Sequence, residues 1–205
     1  MPGFSFPPDF TIPTPRLQIS PFNPTDPTHC DFLVQLWNTD DFISSCGKTG
    51  VTTREKASSF LQGRVSEQYA YHGYGIFLVS RRTDDGLQPI GTVSLMRGIP
   101  PGPHYLAPDI GFAILPEEGR KGYATEAAKA LMEYANKTLG VDAVFGFCSP
   151  ANQRSRGALE KLGMEFRGIK ALKAFGDEES AVILDFINGS ITKLQDRLTV
   201  VAVQE

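Results

Sequence analysis

The stretch that most restricts the fold is residues 109–140, DIGFAILPEEGRKGYATEAAKALMEYANKTLG. Its opening, DIGFAIL, is a short apolar run of strand type. PEEGRKG (116–122) follows, with two bases held between two glycines. From Tyr123 the apolar period becomes helical. Ala124, Ala127, Ala128, Leu131 and Ala135 make a stripe, and Gly140 stands where a C-terminal glycine cap belongs. A strand therefore feeds a helix through a short basic loop, which places the chain among mixed α/β folds. A helix N-terminus presents unpaired N–H groups and a positive dipole end. Gly119 and Gly122 let the backbone turn several amides toward one anion, Arg120 and Lys121 add charge, and Ala124 leaves room for close approach. An ordinary solvated loop would use the same residues. Neither GxGxxG nor GxxxxGK[ST] occurs there, so the dinucleotide fingerprint and the P-loop lose ground.

The remaining elements fall around this unit. Residues 1–13 hold four prolines and three phenylalanines and read as an irregular N-terminal arm laid over the surface. RLQIS (16–20) reads as a strand. Residues 26–38 open with a capping aspartate and a proline and read as a helix, as do residues 52–73, with a loop at 40–52 between them. Strands follow at 75–82 and 89–99, joined by the turn-rich TDDGLQ, and then a proline-rich loop at 100–108. Beyond the 123–140 helix come a buried strand at 141–149, a short helix at 152–163 ending on Gly163, and strands at EFRGIKAL and 181–187. Residues 188–205 read as a peripheral C-terminal extension. There is no internal repeat and no linker that separates a second domain.

Composition removes several function classes. A net charge of −3 argues against a general nucleic-acid surface, which is usually strongly basic. No apolar run approaches the roughly 20 residues of a membrane span, and the N-terminus lacks the basic and apolar segments of a secretory signal. Three widely spaced cysteines, Cys30, Cys46 and Cys148, argue against a disulfide framework and for a reducing, cytoplasmic setting. Three histidines without CxxC or HxxxH spacing give no metal site.

DIGFAILPEEGRKGYATEAAKALMEYA followed by NQRSRGALEKLGMEF resembles the GNAT superfamily of N-acetyltransferases, in particular the branch of the ribosomal-protein N-terminal alanine acetyltransferases. TPRLQISPF matches that branch's opening strand, and the resemblance runs from about residue 14 to residue 187. It implies a single α/β domain with a mixed, mostly antiparallel sheet, splayed central strands and flanking helices. It implies acetyl-CoA as co-substrate. The family's pyrophosphate loop, [QR]-x-x-G-x-[GA], falls on Gly119, Arg120, Lys121, Gly122, Tyr123 and Ala124. Two positions depart from it: Gly119 stands where Gln or Arg is usual, and Arg120 where glycine is common. Backbone amides survive such changes, and Arg120 is placed to supply the missing side-chain contact. The resemblance makes Phe112, Ala113 and Ile114 the backbone partners of pantetheine in the splay, Asn152 a pantetheine contact, and Ser155 a neighbour of the CoA sulfur.

Acetyl transfer to an amine needs a proton acceptor, a polarised carbonyl and a hydrogen bond or proton for the leaving thiolate. The family attacks directly in a ternary complex, so orientation carries much of the acceleration. Asp109 is the first candidate base, and a strand-start aspartate facing water is the plain alternative. His104 is the second candidate. Many relatives place a tyrosine general acid where this chain has Leu159, which leaves Ser155; read without the resemblance, Asn152 and Ser155 are helix-capping residues. Glu117 and Glu118 face solvent or balance Lys121, and Cys148 reads as a structural thiol. Trp37 and Phe42 read as helix packing or as the wall of an acceptor pocket, beside the loops at 40–52 and 100–108. The expected function is N-acetyl transfer from acetyl-CoA to a primary amine, on a small molecule or a protein N-terminus. The alternative is a weakly active module that binds or senses acyl-CoA.

Overall fold

The structure is a computed structural model and describes residues 3–102, 104, 107–171 and 180–187. Its frame is one eight-stranded sheet in the order β1-β2-β3-β4-β5-β6-β8-β7. The strands are β1 (Ile12–Pro13), β2 (Leu17–Pro21), β3 (Ile76–Thr83), β4 (Gly86–Met96), β5 (Asp109–Ile114), β6 (Ala143–Cys148), β7 (Glu165–Ala171) and β8 (Ser180–Ile187). Every neighbouring pair is antiparallel except β5 and β6, which run parallel. The expected mixed, mostly antiparallel sheet is therefore present. Val79 and Gly91 still pair, but Ser80 pairs with Pro89, so Ile90 is an extra residue in β4; a proline is tolerated beside such a bulge. The β3–β4 turn is tighter than TDDGLQ suggests, because only Asp84 and Asp85 lie between the strands.

The helices are α1 (Pro27–Trp37), α2 (Asp40–Cys46), α3 (Arg54–Phe60), α4 (Ser66–His72), α5 (Tyr123–Leu139) and α6 (Gln153–Lys161). Their starts follow from local chemistry. Asp26 caps α1 by accepting the Thr28 N–H at 2.8 Å, with Pro27 at the first helical position, and Thr53 caps α3 through the Lys56 N–H at 3.3 Å. Two readings change. The loop expected at 40–52 contains α2, capped by Thr39, whose hydroxyl accepts the Phe42 N–H at 3.2 Å. The single helix expected over 52–73 is interrupted by a π turn at Leu61–Val65. There the Ser66 hydroxyl donates to the Leu61 carbonyl at 2.8 Å, which helps hold the wider turn.

β3 is buried from Ile76 to Ser80 on successive residues, so both faces of the sheet are covered there. α5 packs against β4 and β5 through Ala127, Ala128, Leu131 and Ala135, all fully buried, so the stripe legible in the sequence is the face that meets the sheet. Small residues on that face bring α5 close to the sheet and set its N-terminus beside the end of β5. The expected C-terminal extension, 188–205, lies outside the described residues.

Candidate active site

β5 and β6 meet at one register pair, Asp109 with Phe145, where the Phe145 N–H donates to the Pro108 carbonyl at 2.8 Å. Beyond that point the pairing stops. The Asp109 side chain supplies the reason: its Oδ1 accepts the Phe147 N–H at 3.2 Å and takes a backbone donor that a parallel neighbour would otherwise use. Asp109 is thus a wedge at the vertex of a splay. β4 pairs with β5 along its other edge as far as Ile114. Phe112, Ala113 and Ile114, each half-buried, then line a cleft on the side where β5 has no strand. The cleft encloses about 1290 Å³. That exceeds the roughly 300–1,000 Å³ of a drug-sized site and suits a long ligand.

At the far end of β5, a 3₁₀ turn at Pro116–Glu118 leads into the basic loop. Gly122 precedes α5 in the left-handed region at φ 82°, and no side chain caps the helix. Arg120 also has a positive φ, 62°. The first backbone hydrogen bond of α5 is Glu126 N–H to the Gly122 carbonyl. The amides of residues 120–124 therefore have no acceptor among the described residues. Gly119, Arg120, Gly122, Tyr123 and Ala124 all line the cleft. The sequence left open an anion cradle or an ordinary solvated loop here, and amides without an acceptor ahead of a helix are the kind of place where anions bind.

Of the two expectations for the loop's acids, facing solvent or balancing Lys121, Glu118 follows the second. Glu118 is buried, and it holds Lys121 at 2.8 Å and Arg81 at 3.3 Å. Hydrogen bonding by Lys121, and then the nearby Arg81, keep its carboxyl below the usual range despite the cost of burial. Lys121 is thus committed to a carboxylate on the loop's own inner side. Arg16, which the sequence reading left out of the site, supports the loop from below. Its guanidinium donates to the Lys121 carbonyl at 2.9 Å, pairs with Glu126 at 2.6 Å and lies 4.6 Å over the Tyr123 ring. Glu126 also accepts the Thr14 hydroxyl at 2.6 Å, so the turn before β2 is tied to the first turn of α5. The sequence offered one signal for this: an acidic residue in the first turn of a helix.

α6 forms the neighbouring wall. Asn152 caps it, its Oδ1 accepting the Ser155 N–H at 3.0 Å, as the plain reading held. Both Asn152 and Ser155 line the cleft as well, so capping and ligand contact are compatible. Gly157 lies one turn on, and a Cβ placed there would meet no protein atom within 4 Å. Leu159 is fully buried and packs on Gly146 of β6. The position where the resemblance implies a tyrosine acid is therefore core in this chain, and Ser155 is one of several hydroxyls on the cleft wall, Tyr123 and Ser149 among them. α2 contributes Phe42 and Cys46 to the cleft, whereas Trp37 stacks on Phe42 with ring centroids 5.4 Å apart and belongs to the core.

Desolvation pushes the Asp109 carboxyl well above the usual carboxylate range, and the Phe147 N–H opposes it. Cys46 is exposed on α2, and partial loss of solvation in the cleft and then the Asp109 charge raise its thiol. Burial also raises Cys148, the neighbouring Arg156 opposing it. Both thiols are held in the protonated form, which is the weaker nucleophile. His104 is exposed, accepts no role in the cleft wall, and lies near the Gly102 carbonyl at 3.0 Å.

A mixed sheet opened between two parallel strands, with a helix N-terminus beside the gap, is an α/β architecture whose cleft is long enough for an elongated ligand. Residues 16–165 match the acetyltransferase (GNAT) domain, and the chain belongs to that family, the acetyl-CoA-using N-acetyltransferases. A probable N-acetyltransferase of Bacillus subtilis, YjcK, is 34% identical over 162 residues, covering 77% of this chain and 82% of the relative. A ribosomal-protein alanine acetyltransferase from Vibrio fischeri shares the fold with a TM-score of 0.71 at 17% identity, covering 89% of this chain and 98% of the other. A RimL ribosomal-protein acetyltransferase in complex with coenzyme A does so at 0.69 and 19%, covering 87% and 98%. Among the described residues, no helix is long and apolar enough to cross a membrane.

Proposed function

We propose that the protein transfers the acetyl group of acetyl-CoA to a primary amine by direct attack in a ternary complex. The observation that carries this is a continuous cleft with a one-sided strand at one end and unpaired loop amides at the other. The amides of 120–124 receive the pyrophosphate. The open edge of β5 at Phe112, Ala113 and Ile114 pairs with the pantetheine amides. Asn152 and Ser155 stand beside the arm, and the free space over Gly157 accommodates it.

The amine nitrogen attacks the thioester carbonyl, an N–C bond forms and the C–S bond breaks. Asp109 takes the proton from the amine, directly or through a water. A carboxyl with a raised pKa is a better base near neutrality than an ordinary aspartate. The departing sulfur is hydrogen-bonded by the Ser155 hydroxyl. The raised pKa values of Cys46 and Cys148 disfavour an acyl-cysteine route and support direct attack. The acceptor we favour is a protein N-terminus, since the fold neighbours include acetyltransferases of ribosomal proteins.

The buried Leu159, which removes the usual acid, favours one second reading, a weakly active acyl-CoA-binding module. Release of CoA thiol from acetyl-CoA, measured over a panel of small amines and N-terminal peptides, separates the two. Amine-dependent release, highest with a peptide N-terminus, is expected. Thermal stabilisation by acetyl-CoA without release under any amine would establish the binding module, and absence of both would overturn the reading.

A further inference from the structure

The cations around the basic loop differ in how firmly they are held. Arg81 and Lys121 share Glu118, whose side chain is 8% exposed, and Arg16 holds Glu126, 17% exposed. Such carboxylates are costly to strip of their partners. Arg154 is different. It stands in the first turn of α6, and its Nη1 lies 3.1 Å from Oδ2 of Asp41 on α2, with the two side chains 68% and 49% exposed. An exposed pair of this kind contributes little to stability. The same guanidinium leans over the loop: its Nη2 is 3.6 Å from the point where a Cβ on Gly119 would sit. Glycine at 119 leaves that space open, and Arg154, Asp41 and Gly119 all line the one cleft. Arg154 therefore reaches both the anion cradle and the acceptor-side helix, bound weakly to the latter.

We propose that Arg154 is an exchangeable clamp for the cofactor's pyrophosphate, for which Asp41 and the phosphates compete. This rests on the reading that the cleft binds acetyl-CoA. A diphosphate offers more charge and more acceptor oxygens than one exposed carboxylate, and guanidinium–phosphate pairs are frequently bidentate. On binding, Arg154 turns from Asp41 to the phosphates above Gly119. Asp41 is then left without its cation on the helix that borders the acceptor side, where an incoming ammonium meets an uncompensated carboxylate. Cofactor and amine binding are thereby coupled favourably.

The test is equilibrium binding of three probes, CoA, 3′-dephospho-CoA and pantetheine, to the full chain and to Arg154→Ala, Arg154→Lys, Asp41→Asn and the Asp41→Asn/Arg154→Ala double variant. Arg154→Ala is expected to weaken CoA and dephospho-CoA alike by about tenfold or more and to leave pantetheine unchanged, with Arg154→Lys intermediate. Asp41→Asn is expected to tighten CoA about two- to fivefold, because it removes the competitor. In the double variant that gain vanishes. Equal CoA affinity of Arg154→Ala and the parent overturns the clamp, as does a loss confined to CoA, which assigns Arg154 to the 3′-phosphate. A weakening by Asp41→Asn overturns the exchange. A parent protein that binds none of the probes overturns the acetyl-CoA reading itself, an outcome distinct from these.

Discussion

Asp109 combines two jobs that are seldom found in one side chain. Its carboxylate closes off the β5–β6 pairing by accepting the Phe147 N–H, and the same carboxylate is left in a site poor in solvation. Because its folded pKa lies well above the ordinary aspartate value, the folded state binds the more protons across that interval. Its contribution to stability is therefore greatest at acid pH and is lost as the pH rises from about 4 through the folded pKa. Asp109→Asn keeps an acceptor for Phe147 and removes the titration. The midpoint of thermal unfolding of the variant, relative to the parent, should climb across that window, whereas parallel curves would mean that Asp109 is not desolvated. In the reaction, the same variant should turn over more slowly at neutral pH and recover in part as the amine loses its own proton at higher pH. CoA affinity should hardly change. Superimposable pH–rate profiles would remove Asp109 as the base.

Among the elements, α6 shows most clearly how a helix is adapted to a ligand. Its start is ordinary, a capping asparagine followed by a serine. Its middle is not, since a glycine inside a helix costs about 1 kcal/mol relative to alanine. The space over Gly157 contains no protein atom, so nothing within the chain requires glycine there. The helix faces the cleft at that point. Gly157→Ala should stabilise the ligand-free protein by about 0.5–1 kcal/mol in urea unfolding and yet weaken CoA binding several-fold. Gained stability with unchanged affinity would show that the pantetheine arm does not pass over this residue. α2 is the complementary case. None of its residues is buried, and it stays in place through the Thr39 cap, Phe42 on Trp37 and Asp41 on Arg154.

The N-terminal arm joins parts of the fold that are far apart in the chain. Phe6 stands among Phe4, Phe10, Tyr69 and Phe77, with ring centroids 4.5–5.6 Å away, and Phe10 meets Tyr134 of α5 at 5.2 Å. The Phe4 N–H donates to the Ala70 carbonyl at 2.8 Å. The arm thus fastens α4, β3 and α5 to one another, and Tyr69 extends the same cluster by hydrogen-bonding Ile76 and accepting the Phe22 N–H. Phe6→Ala removes the ring at the centre of these contacts. Phe6 is half-buried, so a loss of about 1–3 kcal/mol in chemical unfolding is expected, below the 3–5 typical of a fully buried ring. CoA affinity should be retained, because none of these rings lines the cleft. A variant as stable as the parent would show that the arm is a surface ornament.

Local signals in the chain were enough to specify the strand–loop–helix unit at 109–140. A change of period, a glycine pair and a stripe of alanines act within a few residues of one another. The same holds for the caps at Asp26, Thr53 and Asn152, each of which bonds an N–H two or three residues away. α2 was within reach on those terms, since Thr39 precedes two aspartates, but a seven-residue helix with no buried face has no period to read. The rest was decided by tertiary contact. The same carboxylate at 109 is a water-facing strand start or a wedge, depending on where Phe147 lies. Glu118 is a solvated loop residue until Arg81 is folded against it. Arg154 and Asp41 stand 113 positions apart, and no spacing rule connects them. Periodicity and capping are properties of neighbouring residues along the chain. Desolvation and charge pairing depend on what the folded sheet brings alongside, and those two effects set the chemistry of this cleft.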